Sequence, residues 1–130
     1  MRFAKKSLGQ NFLIDKNIIR KIINLTQIKN RNIIEIGPGE GALTNEILKH
    51  EPKSLSIIEK DSSLAKKLEL KFIKIKKIKV YNSDILKFDL ENINKKNSVI
   101  MGNLPYNISS QILVKILKFT KWPPNFNDLI

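Results

Sequence analysis

Residues 32–50 read NIIEIGPGEGALTNEILKH. A short apolar run, NIIEI, ends in a turn holding Gly37, Gly39 and Gly41, and the residues after the turn space their apolar members as a helix does. Strand, glycine turn and helix in that order let a backbone come close to a ligand. They also aim the N–H groups of a helix N-terminus at it. With Ala42 in the place of the third glycine, the turn satisfies the dinucleotide-binding fingerprint, and Glu59 at the tip of the next apolar run stands where a ribose-binding acid belongs.

Outward from that turn, the pattern repeats. Before it, residues 16–25 carry Ile18, Ile19, Ile22, Ile23 and Leu25 at helical spacing, with Asp15 able to cap them. After it, residues 55–59 (LSIIE) read as a second strand, and Asp61 is the expected N-cap of a helix through Leu64, Ala65 and Leu68. Residues 77–81 read as a third strand leading into Asn82-Ser-Asp84, residues 91–97 as a polar connector, and residues 98–101 as a fourth strand. A helix is expected over 109–118, with Ile112, Leu113, Ile116 and Leu117 on one face. Repeated strand and helix imply an α/β, Rossmann-like fold with a parallel sheet covered on both faces. The last residues end on an apolar pair after Pro123, Pro124 and Asp128, which reads as a strand beginning, so the chain is expected to stop within its fold.

At 130 residues the expectation is one domain, and 42% hydrophobic with 28% charged residues is ordinary for a soluble protein. The N-terminus has basic residues but no apolar core of a secretory signal. Cysteine is absent, which excludes disulfides, thiolate metal sites and a cysteine nucleophile and fits a reducing cytoplasm. No metal site and no membrane contact are read. Lys+Arg of 24 against Asp+Glu of 12, a net +12, suits an anionic partner such as nucleic acid. Within that balance, the lysines at 66, 67, 71, 74, 76, 77 and 79 read as a solvated edge.

The loop chemistry narrows the cofactor. Glu40 inside the turn would oppose a pyrophosphate, whereas S-adenosylmethionine has no phosphate and carries a sulfonium. Asp84, just past the third strand, is then placed to accept from the adenine amino group. His50 reads as a favourable C-terminal residue of its helix and not as a catalytic base. After the fourth strand comes GNLPYNISS, residues 102–110. An exocyclic adenine amine is a poor nucleophile because its lone pair is delocalised into the ring. The side-chain oxygen of Asn103 and the carbonyl of Leu104, held outward by Pro105, can grip its N–H groups and aim that lone pair. Tyr106 offers a flat face on which an extruded base can stack.

Five segments in this order, KKSLGQNFL (5–13), IEIGPGEGALT (34–44), IEKD (58–61), NSDIL (82–86) and GNLPYNISS (102–110), resemble the ribosomal RNA adenine dimethyltransferases. The resemblance is to the bacterial members that dimethylate two adjacent adenosines of small-subunit (16S) RNA during ribosome biogenesis. It implies a Rossmann-like S-adenosylmethionine-dependent methyltransferase acting as a cytoplasmic monomer on ribosomal RNA of the small subunit. It also implies cofactor contacts from Asn11, Leu13, Gly37, Gly39, Glu59, Asp84 and Asn103, with Asn103, Leu104, Pro105 and Tyr106 at the target base. Members of that family are longer, so residues 1–130 are expected to form the N-terminal part of the cofactor-binding and catalytic domain. The remaining strands and an RNA-binding helical domain would then be absent, and the fourth strand would be left as an unpaired edge. Alternatives are a related N6-adenine methyltransferase acting on 23S RNA or DNA, and a basic RNA-binding assembly factor without turnover.

Overall fold

The structure is a computed structural model that describes residues 16–93, 97–102, 104–117 and 126–129, with side chains as far as Lys115 in the last helix. In chain order the elements are α1 (Lys16–Ile23), β1 (Asn32–Ile36), α2 (Ala42–Lys49), β2 (Ser54–Glu59) and α3 (Ser62–Lys71). Then follow β3 (Ile78–Asn82), α4 (Leu90–Ile93), β4 (Ser98–Met101), α5 (Tyr106–Leu117) and β5 (Phe126–Leu129). The five strands form one sheet in the order β3-β2-β1-β4-β5, and every pairing is parallel.

Burial explains why the strand sequences look as they do. Every residue of β1 and β4 is buried, because a central parallel strand is covered on both faces and needs an apolar run rather than an alternation. Alternate side chains of those strands feed two separate cores. Ile33, Leu55, Ile57, Val99 and Met101 meet α1, α2 and α3 through Ile19, Ile22, Ile23, Leu43, Ile47 and Leu68. Ile34, Ile36, Ile58 and Ile100 face the other way, against Ile85, Leu90 and Ile112. Asp61 caps α3 as expected, accepting from the N–H groups of Ser63 and Leu64.

Four expectations need correction. The first helix ends at Ile23 and not at residue 25; Leu25 is exposed, its N–H bonded to Ile22 O at 3.2 Å in a tightened last turn. The polar connector contains the short helix α4, pinned by its first residue, the fully buried Leu90. The last helix starts at Tyr106, three residues earlier than read, because Pro105 O accepts from the N–H groups of Ile108 and Ser109. Its inward stripe is therefore Ile108 and Ile112, and Leu113, read as inward, is 47% exposed, since one residue turns a helix by about 100°. The side chains of Ile116 and Leu117 lie outside the described residues. Finally, β4 is not an edge: Ser98, Val99 and Ile100 pair with Phe126, Asp128 and Leu129 of β5, with a register shift after Ser98.

Beside the centre of the sheet, Gly102 follows β4 with no room for a side chain. A Cβ there would stand 2.6 Å from the backbone carbonyl oxygen of Ile36, at the end of β1. Backbone in a paired strand cannot swing aside as a side chain does. Gly102→Ala is expected to lower the urea midpoint, by about 1–3 kcal/mol of stability, with the m-value unchanged.

Candidate active site

Moving out from β1, the chain runs β1, β2, β3 to one side and β4, β5 to the other, so the strand order reverses between β1 and β4. Such a switch point opens a crevice at the carboxyl ends of the strands, the usual ligand position in open parallel sheets. The glycine turn leaves β1 there, and Gly102 and then Leu104 to Tyr106 follow β4 beside it.

The turn takes its shape from left-handed backbone. Gly37, Gly39 and Gly41 have φ of 65°, 58° and 96°, where residues with a Cβ are strained. Gly37 N–H donates to Ile58 O at 2.9 Å, which ties the turn to β2. Gly41 caps α2 without any side-chain hydrogen bond, and Glu40 is exposed. Glu59 reaches across from the end of β2. One carboxylate oxygen accepts from Gly39 N–H at 3.2 Å and the other from Asp61 N–H at 2.8 Å, with the residue only 1% exposed. Burial pushes its pKa up, while the N–H groups of Asp61 and Gly39 pull it down. A carboxylate accepts and cannot donate, so what complements it is a donor such as a sugar hydroxyl.

Asp84 lies next to this centre. Ser83 N–H donates to Glu59 O at 3.0 Å, and Asn82 Nδ2 donates to the carbonyls of Glu59 and Lys60. One Asp84 oxygen accepts from Leu86 N–H at 3.0 Å, and the other is 3.8 Å from Lys60 Nζ. Asp84 is thus both a turn former and a carboxylate at the rim of the same crevice.

The segment after β4 closes over the turn. A Cβ built on Gly37 would meet Leu104 Cδ2 at 2.9 Å, so the leucine side chain roofs the glycine. Leu104 also packs against the core that holds Ile34, Ile36 and Ile58. Pro105 O starts α5, and Tyr106, its first residue, is 86% exposed. Among the expected site residues, Gly39 bonds Glu59, Asp84 follows the Ser83 that bonds Glu59 O, and Leu104 covers Gly37, whereas Pro105 and Tyr106 follow Leu104 in sequence, with Tyr106 exposed to solvent. Asn11, Leu13 and Asn103 lie outside the described residues. His50 is elsewhere: it lines a cleft of about 350 Å³ with Asn24, Gln27, Lys29 and Lys49, formed by loops that precede β1 and β2.

One acid escaped the sequence reading. Glu35 of β1 is fully buried, accepts from Thr44 Oγ1 at 2.6 Å, and has a second oxygen with no hydrogen-bond partner among the described residues. The bond joins the strand before the glycine turn to the helix after it. Burial, more than the neighbouring Glu59, pushes the Glu35 pKa up to about 8 against the opposing pull of the Thr44 hydroxyl. The signal was present as an acid inside a run of apolar strand residues with a threonine at the start of the next helix. Periodicity has no way to pair them.

A nucleoside cofactor without phosphate fits this set of acceptors. Glu59 and Asp84 are anionic acceptors along the crevice, matched to hydroxyls and an exocyclic amine and mismatched to phosphate. The space beside Gly37 is taken by Leu104, so the match to such a group rests on the two acids.

The model of the family described as ribosomal RNA adenine dimethylase matches residues 1–126. The ribosomal RNA small subunit methyltransferase A of Pelagibacter ubique is 52% identical over 112 residues, covering 86% of this chain and 42% of that protein. The crystal structure of the 23S rRNA methyltransferase ErmE superposes with a TM-score of 0.72 at 30% identity, over 89% of this chain and 45% of that one. A dimethyladenosine transferase from Plasmodium falciparum superposes with a TM-score of 0.67 at 28% identity, over 82% of this chain and 38% of the other. The chain thus spans less than half the length of these relatives.

The buried Glu35 leads to a pH dependence whose sign is fixed. Its folded pKa is raised from 4.5 to about 8, so across that window the folded state holds a proton that the unfolded state has released, and stability falls as pH rises. Glu35→Gln keeps an acceptor for Thr44 and removes the titration. Urea denaturation is expected to show the variant gaining on the parent from pH 4.5 to about 8, with the difference level above.

Proposed function

The chain belongs to the ribosomal RNA adenine dimethylase family, and from that we propose that it carries the cofactor and target-base part of an S-adenosylmethionine-dependent enzyme. The reaction is methyl transfer to the N6 amino groups of two adjacent adenosines in small-subunit ribosomal RNA. Residues 1–130 then belong to the catalytic domain. The observation that supports this reading is the roofing of Gly37 by Leu104, a contact between the glycine turn and a residue of the segment we assign to the target base. Higher identity to a small-subunit enzyme than to the 23S enzyme favours the small-subunit substrate over the large.

In this reading Glu59 takes the ribose hydroxyls and Asp84 the adenine amino group of the cofactor, with Asn11 and Leu13 closing on it from the N-terminal segment. When bound, S-adenosylmethionine supplies an electrophilic methyl group on a positively charged sulfur, with no phosphate for these acids to repel. The remaining work falls to the chain beyond β4. The Asn103 side-chain oxygen and the Leu104 carbonyl accept from the two N–H bonds of the target amine, drawing its nitrogen toward tetrahedral geometry. Leu104 can hold that carbonyl still because its side chain is packed into the core. Pro105 fixes the backbone where α5 begins, and the exposed Tyr106 ring stacks on the extruded base. Orientation of this kind is worth about 7–11 kcal/mol of barrier, and the amine nitrogen, cationic once methylated, is acidic enough to release its proton to water, so a strong general base is unnecessary.

Equilibrium dialysis with labelled S-adenosylmethionine and methyl transfer to small-subunit RNA, both measured on the intact enzyme, test the assignment. Asn103→Ala is expected to lower transfer about 100-fold or more while changing cofactor affinity less than about tenfold. Equal losses in both would make Asn103 structural and sink the role. Tyr106→Phe is expected to stay near the parent, and Tyr106→Ala to lose the about 1–3 kcal/mol that stacking supplies.

A further inference from the structure

Along the β3 edge of the sheet, unpaired among the described residues, runs a dense line of cations that the proposed chemistry does not use. Lys66, Lys67, Lys71, Lys74, Lys76, Lys77 and Lys79 are all exposed, and Glu69 is the single acid among residues 66–79. They occupy the second half of α3, the turn after it and the outer strand β3. None is in an ion pair among the described residues. Two are steadied by rings: Lys71 Nζ lies 5.3 Å from the centroid of Phe72, and Lys79 Nζ 5.7 Å from that of Tyr81. Lys77 Nζ donates to Pro52 O.

Edge protection accounts for part of this, since lysines on an outer strand discourage pairing with another sheet. It suits Lys77 and Lys79. It does not suit Lys66, Lys67, Lys71 and Lys74, which sit on a helix and a turn with no strand edge to guard. The line also leads somewhere. β3 runs from Ile78 to Asn82, two residues before Asp84, so its five residues, about 17 Å long, lead from Lys77 at its start toward the crevice. Lys60, 70% exposed beside Asp84, stands at the near end.

We propose that this α3–β3 edge is a phosphate track for RNA, holding the backbone of the strand that delivers a base to the crevice. The inference rests on the proposed function for its RNA, and it adds a contact surface that the reaction itself does not require. Phosphate neutralisation fits lysine, a compact point charge with little sequence preference. An anionic membrane suits the surface less well. Leu70, Ile73 and Ile75 are exposed among the lysines, but the apolar stripe of α3 (Leu64, Ala65 and Leu68) is buried in the core, which leaves scattered apolar residues and no amphipathic helix face to insert.

The test is RNA binding by fluorescence anisotropy across a salt series. The probe is a labelled single-stranded RNA with adjacent adenosines, long enough to run from the crevice along the edge. One variant carries Lys66→Gln, Lys67→Gln, Lys74→Gln and Lys76→Gln. A second, with equal loss of charge away from the edge, carries Lys16→Gln, Arg20→Gln, Lys21→Gln and Lys29→Gln. The edge variant is expected to bind RNA at least about tenfold more weakly, and its log–log salt slope to shrink by about 0.7 for each phosphate it no longer neutralises. The second variant is expected to change much less. Equal losses in both variants, or no loss in the edge variant, would overturn the track. So would loss of binding to phosphatidylserine vesicles with RNA binding intact. Labelled S-adenosylmethionine is dialysed against each variant in parallel. Cofactor bound with the RNA slope unchanged means that the track fails alone, whereas a reduced slope in a protein whose parent binds no cofactor means that the methyltransferase reading fails alone.

Discussion

The parallel pairing of β1 with β4, Asn32 beside Ser98 through Glu35 beside Met101, is the constraint on which everything else in the molecule depends. Two strands distant in sequence are made neighbours at the one place where the strand order changes direction. Their carboxyl ends then release two unrelated loops side by side. One loop is nearly all glycine and proline; the other carries an amide, a carbonyl and a ring. Without the pairing they would be separate turns. With it, Leu104 rests on Gly37, and Gly102 presses so close to Ile36 that no side chain fits between them.

Burying carboxyl groups at such a junction is costly unless partners are supplied. Glu59 shows how the fold manages it, for backbone N–H groups from the glycine turn and from the cap of α3 converge on its oxygens. The same bonds order both turns, so the acid that offers acceptors to a ligand also builds the walls around it. Glu35 follows a different route. It has one hydroxyl partner and complete burial, and it keeps its proton far above the usual carboxylate range. A neutral Glu35 fastens the two flanks of the glycine turn without adding a second buried charge beside Glu59.

Charge on the outside is arranged by a different logic. Lysines are spread over much of the surface, yet the segment from Lys66 to Lys79 concentrates seven of them along one edge. Composition alone could report only the excess. The order of strands placed that segment on the outermost strand and on the helix packed against it, and so turned a run in the sequence into a track in space.

Much was legible in the chain itself, because strand and helix follow from local spacing: the alternation of elements, the glycine turn between β1 and α2, the Asp61 cap, and the placing of Glu59 at a strand end with Asp84 just past the next. Where local signals were weak or opposed, the reading slipped. Asn-Leu-Pro-Tyr resembles an open turn, but Pro105 starts a helix, which rotated the inward stripe of α5 away from Leu113. The tail looked like the start of a strand, yet only its hydrogen bonds to β4 could show that β4 has a neighbour. Sequence by itself determined which residue types stand at each strand end, since backbone propensity and apolar period act over a few residues. Only the tertiary structure decided which of those ends meet, that Leu104 roofs Gly37 and that Glu35 finds Thr44, because such contacts depend on strand order, and strand order has no local signature.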